Sequence, residues 1–563
     1  MARRKPSHIR IWLIPLSVLA GAALVLLGAT LGVDSWVGGS GTRPFWALLW
    51  HPNAAAAANT LSNAGEVVAA VLAIALTVVA IIVELASNRY THRVTELFVA
   101  EPINFVVMGL FVVTAVQALW VTMAIDAAQS GGAGIPYFSV SVTMLLLTIC
   151  LLILLPYFNF VFAYLNPISI VDRISTHTLE VIAKQKRRPS LAHRKLEAVR
   201  GVEQLADVAV NAMEHRDKGV SMASVNALRQ LIVDYQGVRA QLPSDWFSLD
   251  GELARNPDFV SLDARALADL GEHRTWFEMK VLRQYQTVYA EALHRMRDIN
   301  YVIAINTRLL AEDAARREHL ELLHLCMKFF NSYLRAAINA KDVRTAYNVF
   351  NQYRLLAQSL LGWHRGSYAV EIARYFKYYG LVSYAANLPF ILETVAYDLC
   401  VLNETAFDQR APVMDELLRI FLRVDKESES AVQEASLRGV RKAQVKLASY
   451  YLLHGDEARA RRVYEDMSLE DPTLIGSIRD ELFAVHTAEY WEINDRGLNF
   501  DYLPREQKRK LEIFFAWFSG LPTRPLIYAS QLPAAPGGDA AAHGERVGVG
   551  PPSTPSTPPR TGV

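Results

Sequence analysis

The chain has 563 residues, enough for several domains, and a formal net charge of only +1 with 20% charged residues. That balance gives no bulk basic surface, so no nucleic-acid partner is expected. The three cysteines, Cys150, Cys326 and Cys400, form no CxxC pair and support neither a disulfide framework nor a structural zinc site.

Four apolar segments come first: Ile11–Val33, Val67–Ala86, Ile103–Ile125 and Phe138–Leu165. A hydrocarbon core of roughly 30 Å needs ~20 apolar helical residues, so each is long enough to span. The first is too long for the core of a cleaved signal peptide, which runs roughly 7–15 residues. Pro156 removes a backbone donor in the fourth and predicts a kink there. Lysine and arginine alternate between the loops. Arg3, Arg4, Lys5 and Arg10 precede the first span, Arg89 and Arg93 follow the second, and Arg173, Lys184, Lys186, Arg187 and Arg188 follow the fourth. The two remaining loops carry only Arg43 between them. This pattern predicts both termini on the cytoplasmic side.

Glu66, Glu84 and Gln117 form a candidate intramembrane polar site. The two glutamates share one helical face at about 27 Å separation. They either line a cation path or sit at opposite interfaces, and the match to bilayer thickness favours the interfaces. Gln117 suits an interhelical hydrogen bond.

The stretch Leu85-Ala86-Ser87-Asn88-Arg89-Tyr90-Thr91-His92-Arg93 resembles a motif of the domain of unknown function 2254 family, with Arg89 in place of its glutamine and His92 in place of its proline. Phe158-Asn159-Phe160 through Asp172-Arg173 resembles that family's exit from its last span, and Val220–Leu231 echoes it further. The resemblance covers residues 60–235. It implies a bacterial inner-membrane protein and no particular activity.

Residues 171–319 read as a cytoplasmic helical region. Leu282, Tyr285, Tyr289, Ala292, Met296, Ile299, Ile303 and Leu310 follow 3–4 spacing, with Asn306 the polar position, which predicts one long heptad-patterned helix and offers a dimer seam. Two E-x-x-H pairs, Glu291/His294 and Glu321/His324, have the spacing of di-iron ligands. The seam turns the first pair outward, so no metal site is expected. Residues 320–520 read as an α-solenoid-like domain. Within it Leu447, Ala448, Tyr451, Gly455, Ala460, Tyr464 and Pro472 resemble one tetratricopeptide repeat, in which small residues allow close helix approach and aromatics fill the gap. Trp491, Phe514 and Phe515 are candidate core. Residues 521–563 are rich in Pro and Gly and are expected to be disordered.

The fold expected is therefore all-α: a four-helix transmembrane bundle over residues 1–170 and a cytoplasmic helical domain of solenoid character. No phosphate loop, dinucleotide fingerprint or nucleophile elbow occurs, so neither an enzyme nor a cofactor is expected. The reading is a membrane-anchored helical scaffold or sensor that binds a cytoplasmic protein. The alternative is a homo-oligomeric channel or transporter with a cytoplasmic regulator.

Overall fold

The computed structural model describes residues 54–89, 95, 98–99, 101–131, 137–183, 190–249, 251–424, 434–489, 496 and 499–523. The expected span 11–33, Trp491 and the tail beyond residue 523 lie outside the described residues. The described part is all-α, with 19 helices. By compactness the chain divides at Leu447/Ala448.

Helices α1 (Ala54–Arg89), α2 (Pro102–Gly131) and α3 (Tyr137–Tyr164) are, among the described residues, those long and apolar enough to cross a membrane. Three of the four expected spans fall on them. Small residues set the α1–α2 approach: a Cβ on Gly65 would lie 3.3 Å from Ala118 Cβ. Between α2 and α3, Cys150 Sγ lies 3.3 Å from Thr114 Oγ1, within the bundle. Val67, Ile74, Phe105, Trp120, Leu155 and Phe162 point outward, as lipid-facing side chains do. Helix α3 runs through Pro156 without ending.

Two residues after α3, helix α4 (Pro167–Ala183) begins. Asn166 caps it by accepting from Ile168 N–H at 3.0 Å, and Pro167 takes the first turn, where a missing N–H costs nothing. Its apolar stripe, Ile170, Val171, Ile174, Val181 and Ile182, is buried. It packs on α5 (Leu191–Glu214) and α6 (Lys218–Arg239), a helical hairpin. Two short 3-10 turns, α7 (Pro257–Val260) and α8 (Ala264–Glu272) follow.

The long heptad helix is not formed. The pattern is divided between α9 (Trp276–Arg295) and α10 (Arg297–Arg316), because Met296 leaves the helical region at φ −154°, ψ 81°. The buried Asn300 fixes the corner by donating to the Tyr289 carbonyl at 2.7 Å. The apolar positions of both halves are buried against neighbouring helices of the same chain. They are therefore occupied and leave no continuous seam for a dimer.

From α10 onward the helices are evenly spaced. Helices α10, α11 (Leu320–Asn339), α12 (Val343–Gly362), α13 (Gly366–Ala385) and α14 (Pro389–Asp408) start at 297, 320, 343, 366 and 389, one every 23 residues. Each has 20 residues. Alternate helices pack on each other: α10, α12 and α14 form one layer, while α9, α11, α13 and α15 (Met414–Leu422) form the other. The turns repeat as well. Glu318, Lys341, His364, Asn387 and Arg410 all have positive φ, between 49° and 62°. The N–H of the following residue reaches back each time, as from His319 to Ala314 O (2.9 Å) and from Asp342 to Ala337 O (3.0 Å), closing a Schellman turn.

None of the five turn residues is glycine, although a left-handed conformation costs other residues about 1–2 kcal/mol. Replacing the exposed Lys341 by glycine should therefore stabilise the protein by about 0.5–1 kcal/mol, net of the larger chain entropy glycine brings to the unfolded state. A urea midpoint that falls in Lys341→Gly contradicts this.

The second compact unit starts within α16 (Glu434–Leu453) and holds α17 (Glu457–Met467), α18 (Pro472–Ala484) and α19 (Arg505–Phe515). Its aromatic centre is Phe514, Phe515, Trp517, Phe518 and Tyr464, whose ring meets Phe518 edge-on at 4.8 Å. Gly455 makes the α16–α17 turn at φ +80°.

Candidate functional site at the membrane junction

The expected polar site is not one place. Glu66 and Glu84 both lie on the exposed side of α1, and Gln117 is half-buried on α2. The Gly65–Ala118 contact puts Glu66 and Gln117 at one level, with Glu84 about 27 Å along the helix. Helix α1 has 36 residues, about 54 Å, so it overruns the hydrocarbon core. Both glutamates can therefore stand at the boundaries. In the tetratricopeptide-like motif Leu447, Ala448, Tyr451 and Ala460 are buried, Tyr464 is half-buried, and Pro472 starts α18 exposed.

Sequence reasoning missed a polar cluster where the spans meet the body. Asn104, at the start of α2, is buried and donates to the Phe98 carbonyl. Tyr157 OH on α3 donates to Asn104 Oδ1 at 3.1 Å. Two turns further the Tyr164 ring packs edge-on against Phe98 at 5.4 Å. The Arg173 guanidinium of α4 stacks on the Tyr164 ring, 3.4 Å from its centroid, and donates to the Tyr164 carbonyl. Burial lowers the Arg173 pKa from its ordinary value, while Tyr164 and Glu101 oppose that shift. Arg173 thereby satisfies a carbonyl orphaned at the end of α3 and fixes the bend into α4. A second tie comes from α1: Arg89 lies 3.5 Å from Asp217, which also caps α6 by accepting from Val220 N–H.

Helix α4 is clamped from below too. The buried Arg194 donates to Val181 O at 3.0 Å and Ile182 O at 2.6 Å, capping the C-terminus of α4. Its guanidinium also lies 5.7 Å from the Trp246 ring. The arrangement is mechanical: a span, a two-residue elbow and a helix held at both ends. Its members lie far apart in the chain, although Arg173 was visible as the basic residue closing the last span.

Residues 8–220 match the family described as "Predicted membrane protein (DUF2254)". The DUF2254 segment takes in the three described spans, α4, α5 and the start of α6, so the junction lies within it except for Trp246. No curated protein matches the chain, and no solved structure does. The tetratricopeptide resemblance finds no support in these comparisons, and α16 and α17 are unequal, with 20 and 11 residues.

Beyond the DUF2254 segment lies a second buried polar centre. Glu278 of α9 is fully buried and accepts from Gln236 Nε2 at 2.7 Å. Arg239 donates to the His273 and Arg274 carbonyls at 3.1 Å and to His319 Nε2, which must be the acceptor because guanidinium only donates. Burial raises Glu278 to about 7, with Arg239 and Gln236 opposing. Burial, then Arg239, lowers His319 to about 4. The folded state thus keeps the Glu278 proton that the unfolded chain loses above its ordinary value of 4.5, and stability falls as pH rises toward 7. His319 acts oppositely, because only the unfolded chain is protonated between about 4 and 6.5. The two trends should offset each other in weak acid. His319→Gln should unmask a fall in stability from pH 4.5 to 7, on the order of 3 kcal/mol. Glu278→Gln should unmask a rise over the same range. Parallel urea midpoints for both variants across this range would exclude the pairing.

Among the described residues no group of three His, Cys, Asp or Glu side chains could hold a metal ion. The two E-x-x-H pairs are separated: Glu291 pairs with Arg295 at 3.1 Å, Glu321 faces His273 at 3.7 Å, and His324 faces Glu371 at 3.8 Å.

Proposed function

We propose that the protein is a membrane-anchored helical scaffold or sensor of the bacterial inner membrane, with both termini cytoplasmic and an α-solenoid that engages a protein partner. The observation that carries this reading is the 23-residue run of equal helices in two layers over α10–α14. Stacked helical units of this kind expose long surfaces suited to peptides and helices. The clamped α4 supports a coupling role, since a displaced span has a rigid route into the body.

Cross-linking of the native chain in its membrane, followed by mapping of the cross-links, tests this. A partner joined through α10–α15 supports the scaffold. Ion flux through liposomes holding the purified chain, abolished by Glu66→Gln, would overturn it in favour of a channel. A reporter fused to the tail and active only outside the cytoplasm would overturn the topology.

A further inference from the structure

Between α8 and α11, with Met279 of α9 also lining it, lies a cleft of about 380 Å³, within the size range of small-molecule sites. Helix α8 is its looser wall, since none of its nine residues is buried. The charges in the cleft are ordered along it. At one end His273, which closes α8, lies 3.7 Å from Glu321 in the first turn of α11. Asp269 stands one turn back from His273, so two carboxylates share this end. Seven residues after Glu321, on the same face of α11, Lys328 lines the cleft as well. Among the described residues neither Asp269 nor Lys328 has an ion-pair partner. His324 is engaged on the α13 side, 3.8 Å from Glu371 and with its ring 5.1 Å from that of Tyr368.

This order suits a dipolar ligand better than an ion of one sign. Leu325 and Leu270 line the middle, one turn from Glu321 and from His273, so an apolar stretch separates the charged ends. An anion on Lys328 would lie in a cleft with two uncompensated carboxylates, and a cation on the carboxylates would leave Lys328 unpaired. A zwitterion meets both ends. Glu321 and Lys328 rise about 10.5 Å apart along α11, and two charge-assisted hydrogen bonds of roughly 2.8 Å leave about 5 Å between the ligand's charges. That separation exceeds the one between the ammonium and carboxylate of an α-amino acid. It fits an ω-amino acid whose short methylene chain lies on Leu325 and Leu270.

We propose that the α8–α11 cleft binds a small ω-amino acid, with its ammonium between Asp269 and Glu321 and its carboxylate on Lys328. The inference goes beyond the scaffold reading and does not depend on a protein partner. Calorimetric titration of δ-aminovalerate into the full chain in neutral-lipid nanodiscs tests it. The expected result is saturable binding that weakens at least tenfold in Lys328→Gln and in Glu321→Gln. Both side chains are exposed, so both variants should melt as the unaltered chain does. Asp269→Asn, also at an exposed position, serves in place of a variant that does not. The ligand should also slow amide exchange over residues 264–272, because it bridges the loose wall to α11. Absence of binding overturns the proposal, as does binding undiminished in these variants. Valerate or pentylamine binding as tightly as δ-aminovalerate would mean that one charge suffices, and overturns it too. Glycine binding as tightly would overturn the charge spacing on which it rests.

Discussion

Replacing Lys280 by methionine should destabilise the helical body by about 3–5 kcal/mol, the cost of leaving two partly buried carboxylates without their fully buried cation. The Lys280 side chain is 0% exposed. Its ammonium lies 2.6 Å from Glu203 and 3.0 Å from Asn256 Oδ1, and it also pairs with Asp258. Asn256 donates to the same Glu203 oxygen at 2.9 Å, and Gln284 donates to Asp258 at 2.6 Å. One cation therefore ties α5, the short α7 and α9 together. Nearby Asp207 is raised above its ordinary value by burial and by Glu203, with Lys280 opposing. Without Lys280 the Asp207 carboxyl should take up a proton more readily in the folded state, so the loss should be greater at pH 8 than at pH 5. Adding Glu203→Gln and Asp258→Asn should recover most of it. Fluorescence of Trp246 and Trp276, both fully buried near α9, reports the urea midpoint. A loss below about 1 kcal/mol, or a triple variant no better than the single, would mean the cluster is not held by its charge.

The parts of this fold that are legible in sequence are those where a single residue type dominates. Apolar runs announce α1, α2 and α3 because lipid tolerates little else. The junction is harder to read, since Glu101, Tyr164 and Arg173 meet only after the chain has turned twice. The even run of helices is hidden for a different reason. Its turns fall at Glu318, Lys341, His364, Asn387 and Arg410, and the absence of glycine removes the usual punctuation. Small residues do recur one turn before them, at Ala314, Ala337, Ser383 and Ala406, and a search at a 23-residue interval finds them. The heptad pattern misled because α9 and α10 both turn apolar stripes to the same core. Periodicity alone cannot tell one long helix from two that fold back at Met296. The Lys280 and Glu278 centres resist reading from sequence altogether, because charged side chains on amphipathic helices usually face water.

Gly201 sits where α4 crosses α5, and its substitution should separate the junction helix from the body. A Cβ at this position would lie 1.9 Å from Thr178 Oγ1 and 3.0 Å from both Thr178 Cβ and Cγ2. Thr178 cannot simply turn aside, since its hydroxyl donates to Ile174 O at 2.7 Å within a fully packed stripe. Gly201→Ala should therefore cost about 1–3 kcal/mol by overpacking, and Thr178→Ala in the same chain should recover part of it. The location matters more than the size. Arg194 grips the last carbonyls of α4, and Arg173 of α4 grips the last carbonyl of α3, so a displaced α4 loosens both ends of the link to the spans. Hydrogen exchange should accelerate over residues 167–183 and leave α10–α14, which do not rest on this crossing, protected. Exchange that rises uniformly through the body would mean α4 is part of one cooperative core. Exchange unchanged in α4 would mean the crossing carries no load between the spans and the helical body.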